Sequence, residues 1–440
     1  MKESEMRCGL LGRKLGHSFS PLIHSMMAEY DYQLFEREPE EADDFIRNGP
    51  YDAMNVTIPY KENAYRICDV LSKEAEAIGA VNTVVRKDGK LYGYNTDWYG
   101  FKGMLEKSGA EPKGKKCIIL GSGGSAKTAS YTLDLLGAAS VTVISRSGEE
   151  NYENLYERHG DAEIIINTTP KGMFPNSGEE ALIDIKRFPS CVFVGDLIFN
   201  PAMTRLLYEA KQLGIRTSSG YGLYMLVLQA VQAYEFFTGN DSAEGIGDKI
   251  FRAVEEQTRN LILIGMPGCG KTSVGLALAE KMGRPFVDLD KVIEEREGVT
   301  IPEIFAERGE AAFREIEKEV TADICKQSGL VVSTGGGVVT RPENYFSLAC
   351  NGLICYLRRP IEGLSTSGRP VSQSRGTAAL YEERKAFYEG WCDFSVDSLS
   401  EALPPKNETA KEREIRKAKI IKARAERVYE MWCREHERRS

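Results

Sequence analysis

A glycine-rich segment, GMPGCGKTS at 265–273, has the residue types and spacing of a phosphate-binding loop. In such a loop the glycines let backbone N–H groups approach phosphate oxygens, the lysine reaches the β- and γ-phosphates, and the threonine hydroxyl faces Mg²⁺. The segment therefore predicts a site for a nucleoside triphosphate. The residues expected to form this site are Gly265, Gly268, Gly270, Lys271, Thr272 and Ser273.

A second glycine-rich segment, GSGGSA at 121–126, has the spacing of a dinucleotide-binding turn. It follows an apolar run and opens a helix-like stretch, which is the context in which that turn binds a pyrophosphate. A turn that only lets a strand and a helix pack closely is the alternative. The next predicted strand ends in SRS at 145–147, where an NAD site would have an acidic residue, and a guanidinium there suits a 2′-phosphate. We therefore predict NADP(H), bound by Gly121, Gly123, Gly124, Ala126, Ser145, Arg146 and Ser147.

Two polar residues upstream are candidates for proton transfer. Lys61 in NVTIPYKE and Asp97 in GYNTDWYG each follow a strand-like run, at 51–56 and 91–94. Taken singly, each residue is more often a solvated surface charge. If the two converge, ammonium and carboxylate stabilise each other, and one can pass a proton to a carbonyl oxygen while a hydride reaches the carbon.

Residues after the phosphate-binding loop are candidates for holding the phosphoryl acceptor. Asp288 and Asp290 stand two apart at the end of the apolar run in RPFVDLD, so a strand would place both on one side of the pleat. One could then hold Mg²⁺ through water while the other meets a hydroxyl. Arg314 and Glu317 are three apart on a predicted helix and could pair. The glycines of STGGG at 333–337 let the backbone approach a small ligand, or merely make a turn.

Strand, polar or glycine loop and helix follow each other three times along the chain. They occur in CGLLGRKLGHSFSPLIHSMM, in KKCIILGSGGSAKTASYTLDLL and around the phosphate-binding loop. In the first of these, Pro21 is expected near the first turn of the helix. Continuous apolar strands separated by helix-length segments predict an α/β protein with parallel sheets covered on both faces.

The composition excludes several classes of function. The 440 residues predict two or three domains, and a formal net charge of −8 speaks against nucleic-acid binding. Ten scattered cysteines without a C-x-x-C pair, and only four histidines, suggest neither a disulfide framework nor a zinc site. No segment has the pattern of a signal peptide or a membrane span. We therefore expect a cytoplasmic protein with small-molecule substrates and no membrane partner.

The first half of the chain resembles shikimate dehydrogenase over residues 6–240. The blocks HSFSPLIH, NVTIPYKE, GAVNTVV, GYNTDWYG, GSGGSAK, INTTPKGM, GDLIFNP and GLYMLVLQA occur in the order of that family. The resemblance implies NADPH-dependent reduction of 3-dehydroshikimate to shikimate, with Lys61 and Asp97 as the catalytic pair. It implies substrate binding by Asp97, by Ser18 and Ser20 at the carboxylate, and by Thr57, Asn82 and Gln229 at ring hydroxyls.

Two residues depart from the pattern of that family. Phe199 stands where tyrosine is usual, and Tyr224 stands where glycine or proline is usual. Both positions lie near nicotinamide and substrate in the family. A dehydrogenase that also accepts quinate is therefore an alternative for the first half.

The second half resembles shikimate kinase over about residues 260–398, through FVDLD, FREIE and STGGG in that order. The resemblance implies transfer of the γ-phosphoryl of ATP to the 3-hydroxyl of shikimate. It implies that Lys271 contacts the β- and γ-phosphates, that Thr272 and Asp288 serve Mg²⁺, and that Asp290 takes the acceptor hydroxyl. The other implied site residues are Arg314 and Arg384 at the substrate carboxylate, Gly336 and Gly337 at the ring, and Arg369 in a short lid.

The two resemblances together predict a bifunctional enzyme that uses NADP(H), ATP and Mg²⁺ to make shikimate and then phosphorylate it. A non-catalytic ligand sensor built from the same domains is the alternative, although the presence of proton-transfer and metal-binding residues argues against it. The expected domains are a substrate domain at 1–102 with a helical return around 218–245, a Rossmann-like NADP domain at 103–217, a linker at 246–258 and a P-loop kinase domain at 259–440.

The stretch 406–440 is rich in Lys, Arg and Glu. Apolar residues such as Ile415, Ile420, Val428 and Trp432 are sparse within it. The pattern predicts a long helix with a solvated, charged face. Contact with another domain, or with a second copy in a homo-oligomer, is the alternative.

Overall fold

The computed structural model describes residues 2–16, 18–364, 375–397 and 409–439. The chain divides into two units, Met1–Val254 and Glu255–Ser440. The division falls inside the range 246–258 that we expected to separate the halves, and this range is a helix, Ile246–Thr258. Three sheets lie in the described part of the chain, two in the first unit and one in the second.

The first sheet contains β1 (Arg7–Gly12), β2 (Asp31–Glu36), β3 (Ala53–Val56), β4 (Val70–Leu71), β5 (Thr83–Lys87) and β6 (Lys90–Tyr94). Their order across the sheet is β2-β1-β3-β5-β6-β4. β1 pairs in parallel with both β2 and β3, so the carboxyl ends of these strands meet at one edge. β5 runs antiparallel to β3 and β6, which makes this sheet mixed.

The second sheet contains β7 (Lys116–Leu120), β8 (Ser140–Ile144), β9 (Ile164–Asn167), β10 (Phe193–Asp196) and β11 (Arg216–Thr217). The order is β11-β10-β9-β7-β8, and every pair is parallel. The strands β7, β9 and β10 are largely apolar and buried, because helices cover both faces of such a sheet. The predicted parallel sheet around the glycine turn is confirmed.

The helices of the first unit position its loops. Pro21 lies in the first turn of the first helix, as predicted. The long helix Gly222–Thr238, inside the predicted helical return, packs against the helices that begin at Ser20 and Asp97. The helices are α1 (Ser20–Ser25), α2 (Pro39–Asn48), α3 (Lys61–Ile67), α4 (Lys73–Ile78), α5 (Asp97–Lys107), α6 (Gly124–Leu135), α7 (Leu155–His159), α8 (Arg205–Gln212), α9 (Gly222–Thr238) and α10 (Ile246–Thr258).

The second unit is built on a parallel sheet of β12 (Asn260–Ile264), β13 (Phe286–Asp288), β14 (Val331–Ser333), β15 (Gly352–Arg358) and β16 (Phe394–Asp397). The strand order is β13-β14-β12-β15-β16, with β12 fully buried at the centre. The helices are α11 (Lys271–Met282), α12 (Leu289–Glu297), α13 (Ile301–Ile324), α14 (Glu343–Ala349), α15 (Thr377–Trp391) and α16 (Ala410–Arg439).

The charged tail is a long helix, α16, as predicted, but it is not solvated on all sides. Ala425, Val428 and Trp432 are buried in the apolar cluster between α11 and the sheet. They are spaced three and four apart, so they form one stripe of the helix. Ile415, one of the apolar residues noted in the sequence, is instead 48% exposed. The apolar stripe was hard to detect because long charged side chains surround it.

Candidate active sites

The predicted lysine and aspartate of the first unit lie in direct contact. Lys61 is the first residue of α3 and Asp97 is the first residue of α5, so each is placed by a helix N-terminus rather than by the turn that the sequence suggested. Lys61 Nζ donates to Asp97 Oδ2 at 2.6 Å. Their side chains are only 14% and 11% exposed. Partial burial strengthens the attraction between these charges.

Two amides predicted to bind substrate lie beside this pair. Asn82 Nδ2 donates to Asp97 Oδ1 at 2.9 Å and lies 3.5 Å from Gln229 Oε1. Thr96, which the sequence reasoning did not select, donates its hydroxyl to Gln229 Oε1 at 3.4 Å and its backbone N–H to Asn82 Oδ1 at 2.7 Å. These contacts fix the orientation of both amides around the aspartate.

The remaining predicted substrate residues lie where β1 and β3 end. The Thr57 backbone N–H, just after β3, donates to the Leu11 carbonyl of β1 at 2.8 Å. Ser18 lies in the loop after β1, and its hydroxyl accepts from the Ser20 backbone N–H at 3.2 Å. Because parallel strands bring their carboxyl ends together, the structure collects Ser18, Ser20 and Thr57 at the same edge of the sheet.

The two residues that depart from the dehydrogenase pattern differ in their surroundings: Phe199 packs against another aromatic ring, whereas the ring of Tyr224 also lies 5.4 Å from Lys107 Nζ. The rings of Phe199 and Phe19 lie 5.4 Å apart, and Phe19 separates the two serines in the sequence. Tyr224 packs edge-on against Phe251. Phe199 therefore forms an apolar wall next to the serines, whereas Tyr224 packs within the helices of the unit.

The dinucleotide-type turn connects β7 to α6. Gly121 has a φ of +107°, and a Cβ there would lie 2.8 Å from Thr168 Oγ1, so both backbone conformation and space require glycine. α6 begins at Gly124, where a Cβ would lie 3.8 Å from Lys61 Cδ. Lys127 Nζ of α6 also donates to Glu62 Oε1 of α3 at 2.5 Å. The turn therefore lies beside the lysine and aspartate pair.

The residues predicted to bind the 2′-phosphate follow β8, the strand next to β7. Arg146 and Ser147 are exposed, and Ser145 is half-buried. The Gly121 N–H donates to the Ile144 carbonyl at 2.8 Å, which ties the glycine turn to the end of β8. An open glycine turn at a helix N-terminus with an arginine at the neighbouring strand end is a donor set that fits NADP(H).

In the second unit, the phosphate-binding loop joins β12 to α11. Gly265, Gly268 and Gly270 all have positive φ, which explains why the loop needs glycine at these positions. Lys271 Nζ donates to the Gly265 carbonyl at 2.8 Å. Thr272 Oγ1 donates to Asp288 Oδ2 at 2.7 Å.

Threonine and aspartate oxygens of this kind suit Mg²⁺, which takes its remaining ligands from phosphates and water. Within residues 2–16, 18–364, 375–397 and 409–439, no group of three or more His, Cys, Asp or Glu side chains is placed to hold a metal ion by itself. The Thr272 hydroxyl and the Asp288 carboxylate fit a cation that is held partly by the nucleotide.

The prediction that Asp288 and Asp290 share one face of a strand is wrong. β13 ends at Asp288, and Asp290 lies in the first turn of α12. The Asp288 carboxylate caps this helix by accepting from the Asp290 backbone N–H at 3.1 Å. Burial raises the pKa of Asp290 to about 6, although Lys271 opposes the shift. A carboxyl group with this pKa is mostly ionised near neutral pH, and the carboxylate can then accept a proton.

The predicted carboxylate-binding arginines lie in the same region. Arg314 Nη1 donates to Glu317 Oε2 at 2.8 Å, which confirms the predicted pairing. A Cβ on Gly337 would lie 2.3 Å from Arg314 Nη1, so only glycine leaves room for the guanidinium. Arg384 Nη1 donates to the Gly336 carbonyl at 3.2 Å. The glycine segment thus contacts both arginines.

One cavity of about 650 Å³ brings these residues together. Its lining contains the glycine loop, the candidate base and both arginines. Arg369, the predicted lid arginine, lies outside the described residues. The predicted residues that line the cavity are Gly268, Gly270, Lys271, Thr272, Ser273, Asp290, Arg314, Gly336, Gly337 and Arg384.

The cavity also has lining residues that the sequence reasoning did not select. Five of them come from α16: Arg416, Lys417, Ile420, Ile421 and Arg424. The available signal was the spacing of Ile421, Ala425, Val428 and Trp432, which puts apolar residues on one face of the helix.

Comparison with known proteins agrees with the geometry of the first unit. Residues 10–84 match the family model of the shikimate dehydrogenase substrate binding domain. Shikimate dehydrogenase (NADP(+)) from Methanopyrus kandleri is 36% identical over 265 residues, which are 53% of this chain and 90% of that protein. The chain belongs to the shikimate dehydrogenase family. Shikimate dehydrogenase (NADP(+)) from Caldicellulosiruptor bescii is 40% identical over 252 residues, or 51% of this chain and 86% of that protein.

The shikimate dehydrogenase unit is followed by a shikimate kinase domain, because residues 267–413 match the shikimate kinase family model. Among solved structures, a chorismate mutase/shikimate 5-dehydrogenase fusion protein from Clostridium acetobutylicum is similar to this chain. It aligns with a TM-score of 0.52 and 35% identity, covering 57% of this chain and 97% of that one. No helix in the described ranges has the length and apolar content needed to cross a bilayer.

Proposed function

We propose that this chain is a bifunctional enzyme that reduces 3-dehydroshikimate to shikimate with NADPH and then phosphorylates shikimate with ATP and Mg²⁺. Family membership and the kinase domain support the two activities. The observation that carries the proposal is the convergence of each catalytic set in its own unit. Lys61 contacts Asp97 in the first unit, and Lys271 and Asp290 line one cavity in the second.

In the first unit, Lys61 donates a proton to the substrate carbonyl oxygen as the carbon is reduced. NADPH supplies the hydride when it is bound at the glycine turn, with Arg146 at its 2′-phosphate. Asp97 stabilises the lysine ammonium, since an opposite charge at this distance favours the charged form. Asn82 and Gln229 bind ring hydroxyls because their amides border the aspartate.

Ser18 and Ser20 bind the substrate carboxylate, and Thr57 binds a ring hydroxyl. All three lie at the edge where β1 and β3 end, so hydroxyl groups at this edge orient the ring. Phe199 packs against Phe19 next to these serines and limits the space for polar substituents there. The carboxylate contact and the amides together present the carbonyl carbon to the cofactor.

In the second unit, the 3-hydroxyl of shikimate attacks the γ-phosphorus of ATP. Asp290 accepts the hydroxyl proton, a bond forms between the oxygen and the γ-phosphorus, and ADP leaves. Lys271 holds the β- and γ-phosphates, and Thr272 and Asp288 would hold Mg²⁺, which would neutralise phosphate charge, so that positioning and charge neutralisation supply most of the catalysis. Arg314 and Arg384 bind the substrate carboxylate by charge-assisted hydrogen bonds.

The experiment that tests the proposal assays each half separately on purified protein. Shikimate with NADP⁺ should give NADPH, and shikimate with ATP and Mg²⁺ should give ADP and a phosphorylated product. Quinate serves as the comparison substrate in the first assay. A preparation that binds shikimate but produces neither NADPH nor ADP would refute the enzymatic function and favour a ligand sensor.

A further inference from the structure

The C-terminal helix α16 contacts the phosphate-binding loop through one buried arginine. Arg424 is 3% exposed, and its Nη1 donates to the Cys269 carbonyl at 2.8 Å. Its Nη2 lies 3.3 Å from the Arg358 carbonyl at the end of β15. The guanidinium therefore joins the loop to the neighbouring strand from outside the run of residues that defines the loop motif.

The contact falls on the peptide whose orientation matters for phosphate binding. In a trans peptide the C=O and the following N–H point in opposite directions. A donor that holds the Cys269 carbonyl therefore also holds the Gly270 N–H, in the opposite direction. Gly270 has a φ of +99°, and a Cβ there would lie 3.3 Å from Arg424 Nη1, so the loop and the arginine are closely fitted.

α16 is held firmly enough to fix this arginine in place. Val428 and Trp432 are fully buried against the core, one and two turns after Arg424. Near the end of the helix, His436 lies 3.4 Å from Glu255, which also accepts from Arg259. This packing prevents the helix from sliding along its axis, and it therefore fixes the position of the Arg424 guanidinium.

We propose that Arg424 is a positioning residue of the phosphate-binding loop, which makes the charged tail part of the nucleotide site. It holds the Cys269 carbonyl so that the Gly270 N–H faces the nucleotide phosphates, and it places a positive charge in the lining of the cavity. This inference rests on the proposed kinase activity of the second unit. Arg424 does not act on shikimate, which is bound by arginines from other helices.

The test compares Arg424→Gln and Arg424→Lys with Arg427→Gln, an exposed arginine three residues further along the same helix. Each protein is assayed for kcat, for KM of MgATP and of shikimate, and for MgADP binding by calorimetry. The dehydrogenase activity of the same sample measures the amount of intact chain. Thermal unfolding with and without MgADP reports whether the nucleotide-binding unit is folded.

We expect Arg424→Gln to lower kcat/KM for MgATP by about 10- to 100-fold, since hydrogen bonds from a charged donor are lost. MgADP binding weakens in parallel, whereas KM for shikimate and dehydrogenase activity stay within about twofold of the unmodified protein. Arg424→Lys recovers part of the loss because an ammonium can reach one carbonyl. Arg427→Gln behaves like the unmodified protein.

Two results would overturn the inference. One is MgATP kinetics and MgADP binding in Arg424→Gln that equal those of Arg427→Gln. The other is a fall in kcat that matches the unfolded fraction while KM for MgATP is unchanged, which would mean a purely structural role. If Arg424→Gln does not fold, Arg424→Lys carries the same test. An unmodified protein that binds MgADP but transfers no phosphoryl would refute the proposed kinase activity, and MgADP binding by the variants would still test Arg424.

Discussion

Lys61 Nζ lies 2.6 Å from Asp97 Oδ2, although the two residues are 36 positions apart in the chain. Each begins a helix, and the two helices start next to the glycine turn between β7 and α6. Neither side chain alone distinguishes an active site from a surface charge. Their contact, together with the hydrogen bond from Asn82 to the same carboxylate, puts a proton donor and hydrogen-bonding side chains in one place.

Replacing the lysine should remove the proton donor and leave the second unit intact. Lys61→Met keeps the length of the side chain, and we expect dehydrogenase kcat to fall by about 10²- to 10⁴-fold, the range for a lost general acid. Phosphorylation of shikimate should be unchanged. Lys102→Met, which alters a half-buried lysine of α5 paired with Glu106, is the matched control and should retain both activities. Loss of both activities in Lys61→Met would show that the halves are not independent.

Cofactor choice should depend on Arg146. Arg146→Asp places a carboxylate where the 2′-phosphate is expected, so we predict that kcat/KM for NADPH falls by about 100-fold or more through the lost charge-assisted contact. The kcat/KM for NADH should change by less than about threefold. Steady-state assays with each cofactor give the ratio of kcat/KM for NADPH to that for NADH. An equal loss with both cofactors would remove the argument for a 2′-phosphate site.

The pKa of Asp290 predicts the pH dependence of the kinase. A carboxyl with a pKa of about 6 must lose its proton before it can accept one from the substrate hydroxyl. We therefore expect kcat of phosphorylation to rise with pH through about 6 and to level off above it. Asp290→Asn should have a low, flat profile over the same range. A profile of the unmodified enzyme that stays flat from pH 5 to 8 would contradict the assignment of the base.

The same raised pKa predicts that Asp290 costs stability, and that the cost grows as the pH rises from the ordinary pKa of 3.8 to the folded-state pKa of about 6. Below about pH 3 the carboxyl is protonated in both states, but at pH 8 folding requires an ionised carboxylate in a largely buried site. Asp290→Asn avoids this cost, so we expect the variant to gain about 2–3 kcal/mol relative to the unmodified protein between pH 4 and pH 8. The thermal transition that MgADP shifts identifies the relevant unit. No pH-dependent gain would mean that the carboxyl is solvated.

Substrate binding by the kinase should depend on glycine at position 337. Gly337 has a φ of −98°, which any residue can adopt, but a Cβ there would meet the Arg314 guanidinium at 2.3 Å. Gly337→Ala should displace this arginine and raise KM for shikimate about tenfold or more, the effect of losing a charge-assisted hydrogen bond. KM for MgATP should change little. Gly390→Ala, in an open position of α15, is the control and should change neither constant.

Local patterns in the sequence were sufficient to predict the strand, loop and helix units around both glycine segments, because each unit is continuous in the chain. The Arg314 and Glu317 pair could also be predicted, since helical spacing of three places them on one face. Residues on separate elements were harder to place. Only the resemblance to known families connected Lys61 with Asp97, and it could not give the helix N-termini that orient them.

Two local patterns were interpreted wrongly for physical reasons. The alternation in RPFVDLD favoured a longer strand, but Asp288 caps α12 and ends the strand before Asp290. The tail seemed solvated because charged side chains outnumber apolar ones, yet three apolar residues on one stripe are enough to bury a face of α16. A local side-chain cap determined the first structure, and a tertiary contact with the sheet determined the second.

The most direct test of the central claim is one reaction that contains purified protein, 3-dehydroshikimate, NADPH, ATP and Mg²⁺, with NADPH oxidation and ADP release followed together. The two active sites should act in sequence, so we predict that ADP appears after a lag, follows NADPH oxidation and is absent when NADPH is omitted. ADP release that is independent of NADPH, or NADPH oxidation without any ADP, would contradict the account.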